Sequence, residues 1–147
     1  MTSIRKTILA GAFALLSNSA FASETVSVFS TSGCGCCIGW IKHLEEAGFT
    51  VDAKNLAMAD LWAKKMEAGL KEGQTSCHTG FVGGYVVEGH VPAAEVKRLL
   101  TEKPDAIGLA VPDMPMGSPG MGESDEPYDV LLVMRDGKTE TLASYPK

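Results

Sequence analysis

Thr25-Val26-Ser27-Val28-Phe29-Ser30-Thr31-Ser32-Gly33-Cys34-Gly35-Cys36-Cys37 decides how the chain is read. Residues 25–29 read as a buried strand and the residues after Cys37 as a helix, so three of the four cysteines fall at a strand-to-helix junction. Free backbone N–H groups and the helix dipole at such a junction favour thiolate, the form that attacks disulfides and binds metal. With the helix starting at about Gly35 and ~100° of rotation per residue, Cys34 and Cys37 lie on neighbouring sides of the first turn, while Cys36 is turned away from Cys34. Cys34 and Cys37 are therefore the natural redox pair. A Cys36–Cys37 bridge is disfavoured, because adjacent Cα atoms are ~3.8 Å apart and disulfides usually need ~4.4 Å or more.

Outward from this stretch the elements follow in order. Trp40, Ile41, Leu44 and Ala47 recur at helical spacing opposite Lys42, His43, Glu45 and Glu46, and Gly48 ends that helix. Phe49, Val51 and Ala53 alternate with polar residues as a half-buried strand, and a second helix carries Met58, Leu61, Trp62, Met66 and Leu70 to a stop near Gly73. Two short strands, 79–82 and 85–88, join across Gly83-Gly84, a two-residue hairpin turn. Pro92 suits the first position of a third helix bearing Val96, Leu99 and Leu100, which Pro104 closes. Strand, helix, strand, helix, strand, strand, helix is the order of a thioredoxin-like core (βαβαββα), assigned to residues 23–103. Residues 104–127 read as a Met/Gly/Pro-rich loop without periodicity. Residues 128–147 read as a C-terminal β-hairpin on the same domain, pairing 128–134 with 139–145 across Arg135-Asp136-Gly137-Lys138.

Residues 1–22 have the form of a cleaved export signal: Arg5 and Lys6 before an apolar run from Ile8 to Leu16, then Ala20-Phe21-Ala22 as the A-x-A site. The apolar run is shorter than the ~20 residues a membrane span needs, so no span is expected in the mature chain. With 13 basic against 18 acidic residues the net charge is −5, and cleavage removes Arg5 and Lys6. Nothing in that balance invites nucleic acid. An even cysteine count in an exported chain usually signals structural disulfides, but three thiols crowded into C-x-C-C make a poor framework and suit a redox or metal site better.

Cys77 and His78 lie just before the third strand, which in a thioredoxin-like fold passes beside the C-x-x-C pair. That place normally holds a cis-proline, leaving room for an extended substrate. Here Gln74-Thr75-Ser76-Cys77-His78-Thr79 has no proline, and a thiol with an imidazole moves the reading from peptide docking to metal binding. Four thiolates favour Cu(I) or Zn²⁺ by softness. Zinc selects regular paired motifs and a closed tetrahedron, whereas Cu(I) accepts low coordination and shared thiolates. Met114, Met116 and Met121 add three thioethers within eight positions, too many among Gly and Pro for all to be core. His43 is read as solvated on the helix's polar side, and His90, at a strand-to-helix turn, as a helix-entry residue.

The succession Gly33-Cys34-Gly35-Cys36-Cys37, Ser76-Cys77-His78-Thr79, Gly89-His90-Val91-Pro92-Ala93 and Gly108-Leu109-Ala110-Val111-Pro112, followed by the methionine stretch, resembles the periplasmic CopG-like copper-resistance proteins. That resemblance implies a thioredoxin-like fold, copper held by the cysteines around C-x-C-C and by the downstream Cys-His, and a role in envelope copper tolerance. The chain departs from the family pattern at Asp113, where Gly precedes Met-Pro, and at Gly122, where an acid is common.

Residues and resemblance together give an exported Cu(I)-binding protein with Cys34, Cys36, Cys37, Cys77 and His78 as ligands, for one ion or a thiolate-bridged cluster. Its partners would be copper ions and periplasmic proteins that donate or accept them. Cys34 and Cys37 would cycle between dithiol and disulfide. The rival readings are a thiol–disulfide oxidoreductase acting on exported proteins and a zinc-stabilised interaction module.

Overall fold

The computed structural model describes residues 24–147, so the export signal expected over residues 1–22 lies outside the described residues. The elements are β1 (Thr25–Ser30), α1 (Gly35–Glu46), β2 (Thr50–Asn55), α2 (Met58–Glu67), a 3₁₀ turn (Glu72–Gln74), β3 (Thr79–Val82), β4 (Tyr85–Glu88), α3 (Ala93–Glu102), β5 (Ala106–Ala110), β6 (Tyr128–Met134) and β7 (Thr139–Tyr145). They form a mixed α/β fold around one seven-stranded sheet of order β2-β1-β3-β4-β5-β6-β7. β1 runs parallel to β2 and β4 parallel to β5, and the other neighbours are antiparallel. Parallel neighbours need a crossover, and α1 and α3 supply the two. Both helices pack on one face of the sheet, where Trp40, Leu44, Val96 and Leu99 join Val26, Val28, Val87 and Leu109 in the main core. α2 lies on the face bearing Phe29 and Phe81, with Lys64 Nζ 4.3 Å from the Phe29 ring centre.

Several expectations are corrected. The stretch read as a loop over 104–127 contains β5, a central strand of the sheet. Ala106, Gly108, Leu109, Ala110 and Val111 are all buried, so no alternation marks the strand, and glycine inside it lowers the signal further. The second helix ends at Glu67, where Gly69 takes φ +86, and Leu70 is buried beyond the helix. Pro92 is the residue before the third helix rather than its first. β2 is an edge strand, exposed at most of its positions apart from Val51. The C-terminal hairpin does pair 128–134 with 139–145, and it continues the same sheet through β5.

Candidate metal centre

α1 delivers the first three thiols. Cys34 is its N-cap and makes no side-chain capping bond, which leaves its sulfur to Cys37. The two that the helical spacing paired are joined in a disulfide with Cα atoms 5.3 Å apart. Cys36 and Cys77 are free thiols. Cys36 Sγ lies 3.5 Å from Cys34 Sγ and 3.8 Å from Cys77 Sγ, and Cys37 Sγ lies 3.7 Å from Cys77 Sγ. The sequence-distant thiol thus reaches the cluster by way of the segment leading into β3.

Cys77 is also where sulfur meets nitrogen. His78 Nδ1 is 3.2 Å and His90 Nε2 3.1 Å from its Sγ. Two groups of potential ligands therefore share this sulfur: Cys34, Cys36, Cys37 and Cys77 on one side, Cys77, His78 and His90 on the other. The sequence places His90 at a helix entry rather than among the ligands, yet it is fully buried against the thiol. The signal was present in the hairpin. Thr79 pairs with Glu88 across the Gly83-Gly84 turn, and continuing that register outward sets Cys77 opposite His90. His43, read as solvated, instead accepts a hydrogen bond at Nε2 from the Ala93 backbone N–H, 3.0 Å away, at the start of α3.

Burial sets the protonation of the site. It pushes the Cys77 thiol up to about 12, with neighbouring Cys36 adding to the effect, so the metal-free site holds Cys77 as a neutral thiol that a metal must deprotonate. Burial also lowers His78 to about 3, assisted by His90 and Lys65, and lowers His90. Both imidazoles are neutral, the form that ligates metal. His78 lies against the Trp40 ring at 4.3 Å, and its Nε2 is buried without a hydrogen-bond partner among the described residues.

Beneath the site runs a buried polar network that nothing in the sequence flagged. Lys65 Nζ donates to Glu88 Oε1 at 2.6 Å and to Thr79 Oγ1 at 2.8 Å; the Ser76 N–H donates to Glu88 Oε1 at 2.7 Å and the Thr79 hydroxyl to Oε2 at 2.7 Å. Lys65 is 3% exposed and Glu88 0%, so each charge depends on the other and on these hydrogen bonds. Glu88, on β4, in this way anchors the backbone next to Cys77.

The loop after β5 closes over the site. Ser76 and Asp113 form a β-bridge: the Asp113 N–H donates to Thr75 O at 3.1 Å, and the Ser76 hydroxyl donates to the Asp113 carbonyl. Farther along, the Pro119 carbonyl lies 2.8 Å from His90 Nδ1. Met114 and Met116, 50% and 43% exposed, do not serve as core. Among the described residues no helix is long and apolar enough to cross a membrane.

Two comparisons bear on this arrangement. A family model described as a protein of unknown function, DUF411, matches residues 74–121, which include Cys77, His78, His90 and the methionine stretch. Two solved structures, titled "Copper resistance protein copG- Form 1" and "Form 2", are each 45% identical to the chain and cover 84% of it and 98% of their own length, with TM-scores of 0.77 and 0.76. No curated protein matches.

Proposed function

Because the chain belongs to the family of CopG-like copper-resistance proteins, we propose that it binds Cu(I) in the bacterial periplasm and serves copper tolerance there. One observation carries this reading: the Cys77 sulfur stands within 3.8 Å of two α1 sulfurs and within 3.2 Å of two neutral imidazole nitrogens. Crowded sulfur that can be shared between ions is soft-metal chemistry and suits Cu(I), singly or as a thiolate-bridged cluster, better than a closed zinc tetrahedron. The ligands are Cys34, Cys36, Cys37, Cys77 and His78. Parallel β1 and β2, joined by α1 and followed by the antiparallel β3–β4 hairpin, support a thioredoxin-like core for the part of the chain up to residue 103. β5 and the final hairpin then extend that one domain. The leader of residues 1–22 supports export.

The Cys34–Cys37 disulfide supports a redox-coupled form of the same function. Oxidation of the two thiols to one disulfide releases two protons and two electrons, enough to reduce two Cu(II) ions to Cu(I). The same step withdraws two thiolates from the ligand set, so it couples thiol oxidation to metal release.

That disulfide also favours a second reading, a thiol–disulfide oxidoreductase acting on exported proteins. The backbone groups of Thr75 and Ser76 stand against it. An extended substrate would pair with this strip beside the active cysteines, and the chain's own Asp113 occupies it. The deciding experiment loads reduced protein anaerobically with Cu(I) against competing zinc and follows insulin reduction by the metal-free and copper-loaded forms. Copper held over zinc, with slow insulin turnover in both forms, is the expected result. Fast turnover by the metal-free form without tight Cu(I) binding would move the assignment to the oxidoreductase.

A further inference from the structure

We propose that the turn Ser118-Pro119-Gly120-Met121 is a positioning element for the metal: its Pro119 carbonyl holds His90 in the Nδ1–H tautomer, so that Nε2 presents its lone pair beside the Cys77 sulfur. The inference rests on the copper reading and adds His90 to its ligands.

The turn is of type II. The Met121 N–H donates to Ser118 O at 2.9 Å, closing a four-residue turn, and Gly120 has φ +90. Proline at the second position excludes the primed types, which need a positive φ there, and a positive φ at the third excludes type I. Between types I and II the middle peptide is flipped, because ψ of the second residue changes from about −30° to about +120°. The Pro119 carbonyl belongs to that peptide. Type II geometry therefore decides whether this oxygen faces His90, and the glycine at position 120 decides the geometry.

Packing fixes the turn on α1. A Cβ at Gly120 would stand 2.6 Å from Cys36 O and 2.7 Å from Trp40 N, and a Cβ at Gly39 would stand 2.9 Å from Gly120 Cα. Gly39 sits inside a helix, where glycine is destabilising relative to alanine. The close approach of the turn accounts for its presence. Ser118, 1% exposed, braces the base of the turn by donating its hydroxyl to Pro115 O at 2.6 Å.

A neutral imidazole carries one proton. The Pro119 oxygen, 2.8 Å from Nδ1, can only accept, so the proton sits on Nδ1 and Nε2 is left bare, 3.1 Å from Cys77 Sγ. A metal-bound histidine is typically set in this way, with its second nitrogen donating to a carbonyl or carboxylate. His78, the other imidazole at this sulfur, has no such acceptor at its buried Nε2 among the described residues.

The test reads the tautomer and the affinity separately. Nitrogen NMR of metal-free protein labelled in its imidazoles should show His90 protonated at Nδ1. Gly120→Ala, and independently Gly39→Ala, which keeps a good helix former in α1, should each abolish that preference. Each should also weaken Cu(I) binding in a chelator competition by about tenfold to a hundredfold. Gly122→Ala, equally strained at φ +93 but with only Met116 Cε nearby at 3.7 Å, should change neither. Parent protein with its His90 proton on Nε2 would overturn the proposal. So would loss of the tautomer in Gly39→Ala with undiminished Cu(I) affinity. Parent protein that binds no Cu(I) would instead sink the copper reading, and the tautomer, measured without metal, tells the two failures apart.

Discussion

The two walls of the site are built in different ways. One is a single turn of α1, in which Cys34, Cys36 and Cys37 are neighbours in sequence and in space. The other is assembled from Cys77 and His78 before β3, His90 after β4 and Pro119 beyond β5, and is held from beneath by Lys65 of α2 through Glu88. A local wall needs only the helix that carries it, whereas the assembled wall inherits the stability of every segment that meets there. Its weak point is accordingly a residue that is not itself a ligand, Lys65, which bonds Thr79 next to His78 and, through Glu88, holds the backbone next to Cys77.

The largest effect should come from breaking the assembled wall at its base. Lys65→Met leaves the Glu88 carboxylate buried without its cation, and a broken buried pair typically costs about 3–5 kcal/mol. Urea unfolding of metal-free protein should report that loss, and Lys65→Met combined with Glu88→Gln should recover a large part of it. A loss below about 1 kcal/mol for the single variant would mean that the network does not hold this wall.

Removing the sulfur where the walls meet comes next. Cys77→Ser should weaken Cu(I) binding about as much as Cys37→Ser, and by more than the tenfold to hundredfold expected when only a group supporting a ligand is lost. Folding should survive, because Cys77 is not in the main core. If Cys77→Ser bound copper like the parent in a chelator competition while Cys37→Ser did not, the walls would not share metal.

The same division separates what the sequence made legible from what it did not. The Cys34–Cys37 pair follows from spacing alone: the two sit three apart at the first helical turn and are joined. Cys36, which helical rotation turns away from Cys34, instead has its sulfur 3.5 Å from that of Cys34, because Cys34 is the cap residue with extended backbone and lies outside the helical rotation. Cys77 and His78 were legible only through the expected fold, which brings the approach to β3 beside α1. His90 was within reach, since the hairpin register that pairs Thr79 with Glu88 also opposes Cys77 and His90. Lys65 was not, because a lysine on a short amphipathic helix reads as solvated. β5 escaped for a related reason: a central strand covered on both faces shows neither alternation nor length. Pro119-Gly120 announces a turn, but no local signal says that the turn lies on Gly39.

Acid should expose the assembled wall without a mutation. Burial lowers the pKa of His78, to about 3, and of His90, so in the folded protein both stay neutral below the usual value near 6.5. An unfolded chain binds those protons readily. The stability due to keeping the imidazoles neutral is therefore fully present above about pH 6.5 and is lost as pH falls below it, with a slope of up to about 1.4 kcal/mol per pH unit for each group. Glu88 has the opposite sign, because burial raises its pKa and favours the folded state at lower pH. Urea midpoints of metal-free protein between pH 6.5 and 4.5 should fall on acidification, and His78→Gln should flatten the decline. An unchanged slope in that variant would mean that His78 takes up its proton without unfolding.

The smallest predicted effect isolates the histidine outside both walls. His43 is half-buried, and burial lowers its pKa as it does for the other two, against the opposing charge of Glu46. Its Nε2 accepts from the Ala93 N–H at 3.0 Å, one of the donors that the start of α3 leaves without an intrahelical partner. Pro92, the residue before the helix, has no side-chain oxygen to take that donor, so an imidazole from α1 does the work of a cap. His43→Ala should cost about 1 kcal/mol in urea unfolding, the usual value of a helix cap or a net hydrogen bond. It should leave Cu(I) affinity unchanged, since His43 belongs to neither group of ligands around Cys77. His43→Gln, which keeps an acceptor on a side chain of similar reach, should restore part of the stability. Loss of copper binding in His43→Ala at preserved stability would bring a third imidazole into the site and undo the separation between the histidine that ties α1 to α3 and the two that face sulfur.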